Sequence, residues 1–215
     1  MTNIIALFDN DLVYKLAYFG LWDEVLSVLN IKTVYCLNAV GQNQFKTSIK
    51  RINAKLTKEN KPLLSAEEEL RFTNNLSRIV QSIKRIPAEW FNPVLSQKHM
   101  SPNIDSGEAE LLAILLSRSE IHLLITGDHR FVRAFRTLFP DQYAQLQQAR
   151  RIRIFEEVLL ILMESYGYDW LYTRLVAARF ADGTVHLALG VAKRNTEEEF
   201  RYALDSSRGF TDGPY

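Results

Sequence analysis

Three acidic residues stand where apolar segments stop or start. Asp9 follows the run Ile4 to Phe8, Asp128 follows Ile121 to Thr126, and Glu108 precedes Ala109, Leu111 and Leu112. A short continuous apolar run halted by an acid suits a buried parallel strand. In an open parallel sheet, such stops lie at the carboxyl edge, where ligands bind. Glu108, in the first turn of a helix packed on that sheet, would enter from nearby. Carboxylates gathered in one place repel one another unless a cation compensates. An oxygen-only donor set suits Mg²⁺ or Mn²⁺ rather than zinc. Each acid also has a plainer reading. Asp9 or Asp11 can cap the helix that follows, Asp105 and Glu108 have the spacing of a capping box, and Asp128 can cap the next helix.

The elements that must position these acids alternate in type. Strands are expected at Ile4 to Phe8, Thr33 to Leu37, Ile121 to Thr126 and Arg153 to Phe155. Helices are expected after Asp9 up to Gly20, over about 21–29, from Glu108 to Ser117, over about Arg130 to Leu138 with its end at Pro140, and from Glu157 to Tyr166. Residues 40–86 contain no strand-like run. Ile49, Ile52 and Leu56, then Phe72, Leu76, Ile79, Val80 and Ile83, recur three and four apart and predict two amphipathic helices. The break between them is Asn60-Lys61-Pro62, and Ser65 with Glu68 is a capping box for the second. Pro87 to Asn103 reads as loop. From Tyr168 onward mostly helix is expected, Thr196 to Ala203 being the clearest piece. The expected architecture is an α/β fold with a mostly parallel sheet, a helical hairpin inserted over about 40–86 within a 1–160 domain, and a helical extension over 161–215.

Composition narrows the classes. The 215 residues carry 26 lysines and arginines against 25 acids, a formal charge of +1, so no global basic field advertises nucleic acid. Hydrophobic residues make up 47%, which argues against disorder. One cysteine, Cys36, excludes an intrachain disulfide framework and a Cys-rich zinc site. Its setting in Val34-Tyr35-Cys36-Leu37 reads as a buried small hydrophobe. The longest apolar runs, Leu111 to Leu116 and Val158 to Met163, fall far short of the roughly 20 residues that span a bilayer. No basic region precedes an apolar stretch at the start, so the expectation is a cytoplasmic protein.

Three segments together carry a resemblance. Ile5-Ala6-Leu7-Phe8-Asp9-Asn10-Asp11-Leu12-Val13 resembles the first strand and acid of the PIN domain family. Asp105-Ser106-Gly107-Glu108-Ala109-Glu110 resembles that family's Gly-Glu-Ala helix start with its second acid. Leu124-Ile125-Thr126-Gly127-Asp128 resembles its strand ending in Thr-x-Asp, the third acid. Order and coarse spacing match over roughly residues 4–160, and a helical hairpin between the first two acids is usual in the family. The resemblance implies a three-layer PIN-like fold and a metal-dependent endonuclease, most often a ribonuclease and in many members the toxin of a toxin–antitoxin pair. It implies Asp9, Glu108 and Asp128 as catalytic carboxylates holding Mg²⁺ or Mn²⁺ directly or through water. RNA is the implied substrate with DNA as the other polymer, and an antitoxin or a second copy of the chain is the implied protein partner. One departure is plain. Many members place a fourth acid a few residues after the third, whereas here His129, Arg130, Phe131 and Val132 follow. Asp141, beyond Pro140, is the nearest acid that follows, Asp11 or Asp105 can contribute instead, and one-metal and two-metal sites both stay open.

Supporting residues have two readings each. Thr126 can orient Asp128 or simply end a strand. Asn10 can reach a metal water or phosphate, or satisfy local backbone. His129 can donate a proton to a leaving oxygen or face solvent at a helix start. Between residues 44 and 62, Lys46, Lys50, Arg51, Lys55, Lys58 and Lys61 stand against Glu59 alone. They form a solvated helix face or a phosphate-tracking arm. Arg130, Arg133 and Arg136 recur every three residues after Asp128 and can touch phosphates or pair with acids. Trp90 and Phe91 can stack on bases or pack in the core. Two other functions compete. Asp9-Asn10-Asp11-Leu12-Val13 also fits the start of haloacid dehalogenase-like phosphatases, with Asp9 as nucleophile, Asp11 as acid–base and Thr126 from a later strand. That scheme leaves Glu108 without a role and lacks a later acidic pair. The third reading is a catalytically weak PIN-like binding or assembly module, docking through Trp170, Leu171, Leu175 and Val176.

Overall fold

The computed structural model describes residues 3–37, 42–58 and 63–212, with side chains left out at 42–46, 48, 51, 55 and 208–212. Five strands form one parallel sheet: β1 (Ile4–Phe8), β2 (Ile31–Cys36), β3 (Lys84–Arg85), β4 (Leu123–Thr126) and β5 (Ile152–Ile154). Their order is β3-β2-β1-β4-β5, so β1 is central, with Leu7 beside Tyr35 on one flank and Leu124 on the other. The chain builds outward from β1 in one direction through β2 and β3, then returns to build outward through β4 and β5. The reversal falls between β1 and β4, and the crevice outside the carboxyl ends of those strands is where α/β sheets bind ligands.

Side chains alternate across a strand, and here the alternation sorts the core into two layers. Ala6, Phe8, Leu123 and Ile125 face one apolar cluster, and Leu7, Leu124, Ile152 and Ile154 face the other. The first layer takes α1 (Asn10–Phe19), α2 (Trp22–Val28), the hairpin α3 (Gln42–Lys58) and α4 (Ala66–Ser82), and α9 (Phe155–Tyr166). The second takes α6 (Ser106–Ser117), α7 (His129–Leu138) and α8 (Pro140–Gln148). Helices on both faces of a parallel sheet make a three-layer α/β fold.

The hairpin is anchored by its apolar stripe. Ile49, Ile52, Leu56, Phe72, Leu76 and Ile79 are buried, and Phe72 meets Tyr18 of α1 edge-on at 5.4 Å. Burying one such Phe contributes about 1.5–3 kcal/mol. Val80, at the margin of the stripe, is exposed. The Ser65–Glu68 capping box is formed in both directions. The Asn60-Lys61-Pro62 break lies outside the described residues. Gly20 ends α1 in the left-handed region at φ 62°, a conformation that favours glycine.

The segment after α9 contains α10 (Tyr168–Val176), α11 (Gly183–Ala188) and α12 (Glu197–Asp212). Leu171, Leu175, Val185, Phe200 and Leu204 join the same cluster as Phe8 and Leu12. This segment therefore shares the core of the sheet layer.

Three elements differ from the sequence reading. Lys84–Arg85 forms the edge strand β3, pairing with Tyr35 and Cys36 inside a region expected to lack strands. Two exposed basic residues carry no apolar pattern, and an edge strand needs only backbone pairing. The 87–103 stretch holds α5 (Pro93–His99), whose Asn92 side chain caps Leu95 N–H at 3.0 Å with Pro93 in the first turn. Pro140 ends α7 and also opens α8. Among the described residues no helix is long and apolar enough to cross a membrane.

Candidate active site at the carboxyl edge of the sheet

Asp9 is the single residue between β1 and α1. Its Oδ1 accepts the Leu12 N–H at 2.6 Å, capping α1. Its Oδ2 faces β4, accepting the Gly127 N–H at 2.9 Å and the Thr126 hydroxyl. Burial, then the neighbouring charge of Asp11, push its carboxyl up to about 6 against the lowering effect of those hydrogen bonds. Thr126, itself buried, accepts the Asp128 N–H at 3.1 Å. The Thr126 hydroxyl thus binds the Asp9 carboxylate and the Asp128 backbone, so of its two readings the one that orients Asp128 is met through the main chain.

Asp128 caps α7, its Oδ1 accepting Arg130 N–H at 2.7 Å and Phe131 N–H at 3.1 Å. Its Oδ2 meets the Arg130 guanidinium at 3.1 Å. Burial raises its carboxyl, but the two N–H groups and Arg130 outweigh that and hold it below the usual range. Glu108 and Asp105 form the capping box of α6. Glu108 Oε2 accepts Asp105 N–H at 2.8 Å, and Asp105 Oδ1 accepts Glu108 N–H at 2.9 Å. Burial, with the charges of Asp105 and Asp128, pushes Glu108 up to about 7 despite the Asp105 N–H. The capping reading therefore holds for each acid. All three cap or brace helices, and they stand at one edge, with Glu108 in the field of Asp128 and Asp9 joined to Asp128 through Thr126.

Asp11 turns the other way. Its Oδ2 pairs with Lys15 Nζ at 2.8 Å, and the same ammonium meets Asp182 Oδ2 at 2.8 Å and donates to Gly127 O at 3.0 Å. Lys15 and Asp182 are both buried. Burial would lower the ammonium, but Asp182 and Asp11 raise it well above its ordinary value. Gly127 lies against this cluster, and a Cβ there would meet Asp11 Oδ2 at 2.6 Å and Lys15 Nζ at 2.7 Å. His129 is held through Nε2 by Glu156 Oε1 at 2.8 Å, a contact that raises the imidazole above its ordinary value. Glu156 is 1% exposed, and its Oε2 has no hydrogen-bond partner among the described residues. Asn10 Oδ1 is also buried without one.

Lys15, Glu156 and Asp182 escaped the sequence reading. Lys15 offered one signal, a lysine four residues after Asp11 on a face otherwise apolar. Glu156 opens a helix after β5 much as Asp9 does after β1. Asp182 joins the edge from 54 residues beyond Asp128, a distance no local pattern bridges.

The basic residues divide. Arg130 and Arg133 project from α7 beside the acids, both exposed. Lys50 and Lys58 are exposed on α3, whereas the side chains of Lys46, Arg51 and Lys55, and all of Lys61, lie outside the described residues. Trp90 is packed in the second core layer, with Tyr35 at 4.7 Å and the Arg118 guanidinium 4.7 Å from its ring. Phe91 packs against the same layer, so the packing reading holds for both. Cys36 is buried, and burial followed by the charge of Asp9 raises its thiol far above the ordinary range.

Asp9, Glu108 and Asp128 are anionic oxygen donors of the kind a hard divalent cation takes. Among the described residues no group of three or more His, Cys, Asp or Glu side chains is preassembled for a metal ion. No family model matches the chain, and neither the curated proteins nor the solved structures contain a significant match to it.

Proposed function

We propose that the chain is a Mg²⁺- or Mn²⁺-dependent nuclease that hydrolyses phosphodiester bonds, RNA being the favoured polymer. The observation that carries this reading is the position of Asp9 and Asp128 at the carboxyl ends of β1 and β4, tied through Thr126, with Glu108 at the start of α6 in the field of Asp128. The raised pKa values of Asp9 and Glu108, caused first by burial and then by neighbouring acids, support it, because a bound cation would favour their ionised forms. Asp9, Glu108 and Asp128 would hold the cation, which lowers the pKa of a bound water and offsets charge developing on phosphorus. Thr126 and the Gly127 N–H fix the direction of the Asp9 carboxylate. Arg130, braced by Asp128, offers a guanidinium to a phosphate at the same edge.

The phosphatase reading, which leaves Glu108 without a role and lacks a later acidic pair, is weakened further by one contact. Asp11, its required acid–base, is held by the buried ammonium of Lys15. The binding-module reading shares the fold and is separated by turnover.

The test is incubation with mixed single-stranded RNA and DNA oligonucleotides in Mn²⁺, Mg²⁺ or EDTA, alongside Asp9→Asn and Glu108→Gln. Cleavage that needs the metal and disappears in both variants is expected. Cleavage in EDTA, or wild-type rates in both variants, would overturn the assignment.

A further inference from the structure

Beside the acids lies a cleft of about 560 Å³, between the 101–104 turn and α7. The turn is closed by the Ser101–Ile104 bridge and leads directly into Asp105, the cap of α6. The cleft's walls therefore belong to the elements carrying Glu108 and Asp128. Its polar lining includes Arg130, Arg133, His129 and Asn103, with no carboxylate, and Pro102 and Leu138 give it an apolar wall. Arg133 stands one helical turn beyond Arg130. Its exposed side chain makes no hydrogen bond or ion pair with the described residues. Leu138 is 50% exposed.

Three other clefts contain arginines. One, of about 440 Å³, mixes Arg78 and Arg174 with their partners Asp23 and Glu24. A second holds Arg153 with its partner Glu157. The third, of about 770 Å³ at the opposite edge of the sheet, holds Arg151, spent on the carbonyls of Leu115 and Ile121 at 2.7 Å each, beside exposed Arg150 in a lining that is also free of acids. What sets the first cleft apart is its place, since its walls belong to the elements that carry Glu108 and Asp128.

We propose that this cleft seats the sugar–phosphate backbone of a single nucleic-acid strand next to the scissile bond. Arg133 and Arg130 face successive phosphates, and Pro102 and Leu138 lie under a sugar or base. This rests on the nuclease reading for the identity of the polymer. A backbone phosphate brings one charge per residue, matched by cations spaced along a helix.

The test uses the full chain in EDTA, so that binding is read without turnover, with a fluorescein-labelled 12-mer of single-stranded RNA. Anisotropy is followed across a salt series. Arg133→Gln is expected to weaken binding about 3–10-fold and flatten the log–log salt slope by about 0.7, one phosphate contact on a single strand. Arg133→Glu is expected to weaken it further. Arg150→Gln, at the opposite edge, is the charge-matched control and should match wild type. Wild-type affinity and slope in both Arg133 variants would overturn the proposal. So would displacement of the 12-mer by a nucleoside monophosphate at equal nucleotide concentration, which would make the cleft a mononucleotide site. The two readings fail separately. Metal-dependent cleavage with Arg133 neutral to binding removes the cleft and keeps the nuclease. Arg133-dependent binding with no cleavage in any metal keeps the cleft and removes the nuclease.

Discussion

Replacing Lys15 with Met tests whether one ammonium holds the carboxyl edge together. Lys15 Nζ sits 2.8 Å from both Asp11 and Asp182 and 3.0 Å from the Gly127 carbonyl, with its side chain 10% exposed. Asp11 is more than half exposed and water can solvate it once the lysine is gone. Asp182, 7% exposed, would keep only the Val185 N–H at 2.8 Å. Stranding a buried charge by removing its partner costs about 3–5 kcal/mol. The pH dependence fixes the cause. In the wild type, burial raises Asp182, but Lys15 and the Val185 N–H outweigh it and hold the carboxyl below its ordinary value. Its contribution is then present above the unfolded pKa, about 4, and is lost as pH falls through the folded value. In Lys15→Met burial is opposed only by the Val185 N–H and the charge of His129, so the folded pKa rises. Stability then falls as pH climbs from about 4 through that value. The deficit should therefore be small near pH 3.5 and full by neutrality, read as urea midpoints across that range. Lys15→Met/Asp182→Asn removes the stranded charge, keeps a side-chain acceptor for Val185, and should recover about 2 kcal/mol. A Lys15→Met deficit under about 1 kcal/mol, the same at every pH, would refute the reasoning.

Other expectations rest on single contacts. Glu108, raised to about 7, should make the wild type lose stability as pH rises from about 4 to 7. Glu108→Gln should remove that slope by roughly 1–2 kcal/mol, visible as a converging pair of urea curves at low pH. Gly127→Ala places a methyl against Asp11 and Lys15 and should cost about 1–3 kcal/mol in thermal unfolding while disturbing the N–H that holds Asp9. Phe72→Ala should cost about 3–5 kcal/mol by chemical denaturation, since its fully buried ring fixes the hairpin to α1. Millimolar Mn²⁺ should raise the melting temperature of the wild type, through preferential binding to the folded state, and leave Asp9→Asn unmoved.

The fold was legible where burial is written into short apolar runs. Ile4 to Phe8 and Ile121 to Thr126 are continuous because strands between two helical layers bury both faces. The edge strand at Lys84 and Arg85 carried no such mark, since backbone pairing alone places it. Asn92-Pro93 did mark a helix start, and three prolines across the segment obscured it. The acids were legible for a related reason. A parallel strand ending at the carboxyl edge must hand over to a helix within a residue or two, and an acid there caps the helix whether or not it does chemistry. The capping geometry of Asp9, Glu108 and Asp128 is therefore common ground between the structural and catalytic readings. What separates them is charge left over after capping. Asp128 is compensated by Arg130, and Asp182 by Lys15, and both are held low. Asp9 and Glu108 have no basic side chain among the described residues in hydrogen-bond or ion-pair contact, and both are pushed up. That imbalance arises from burial and from partners distant in sequence, and it appears only once the edge is assembled. Glu108 accepts the Asp105 N–H through one oxygen, which Gln keeps, so a fold that merely needed the cap would gain by neutralising it, and Glu108→Gln should stabilise the apo protein at neutral pH and abolish turnover together. A loss of stability in Glu108→Gln would return that acid to a structural role.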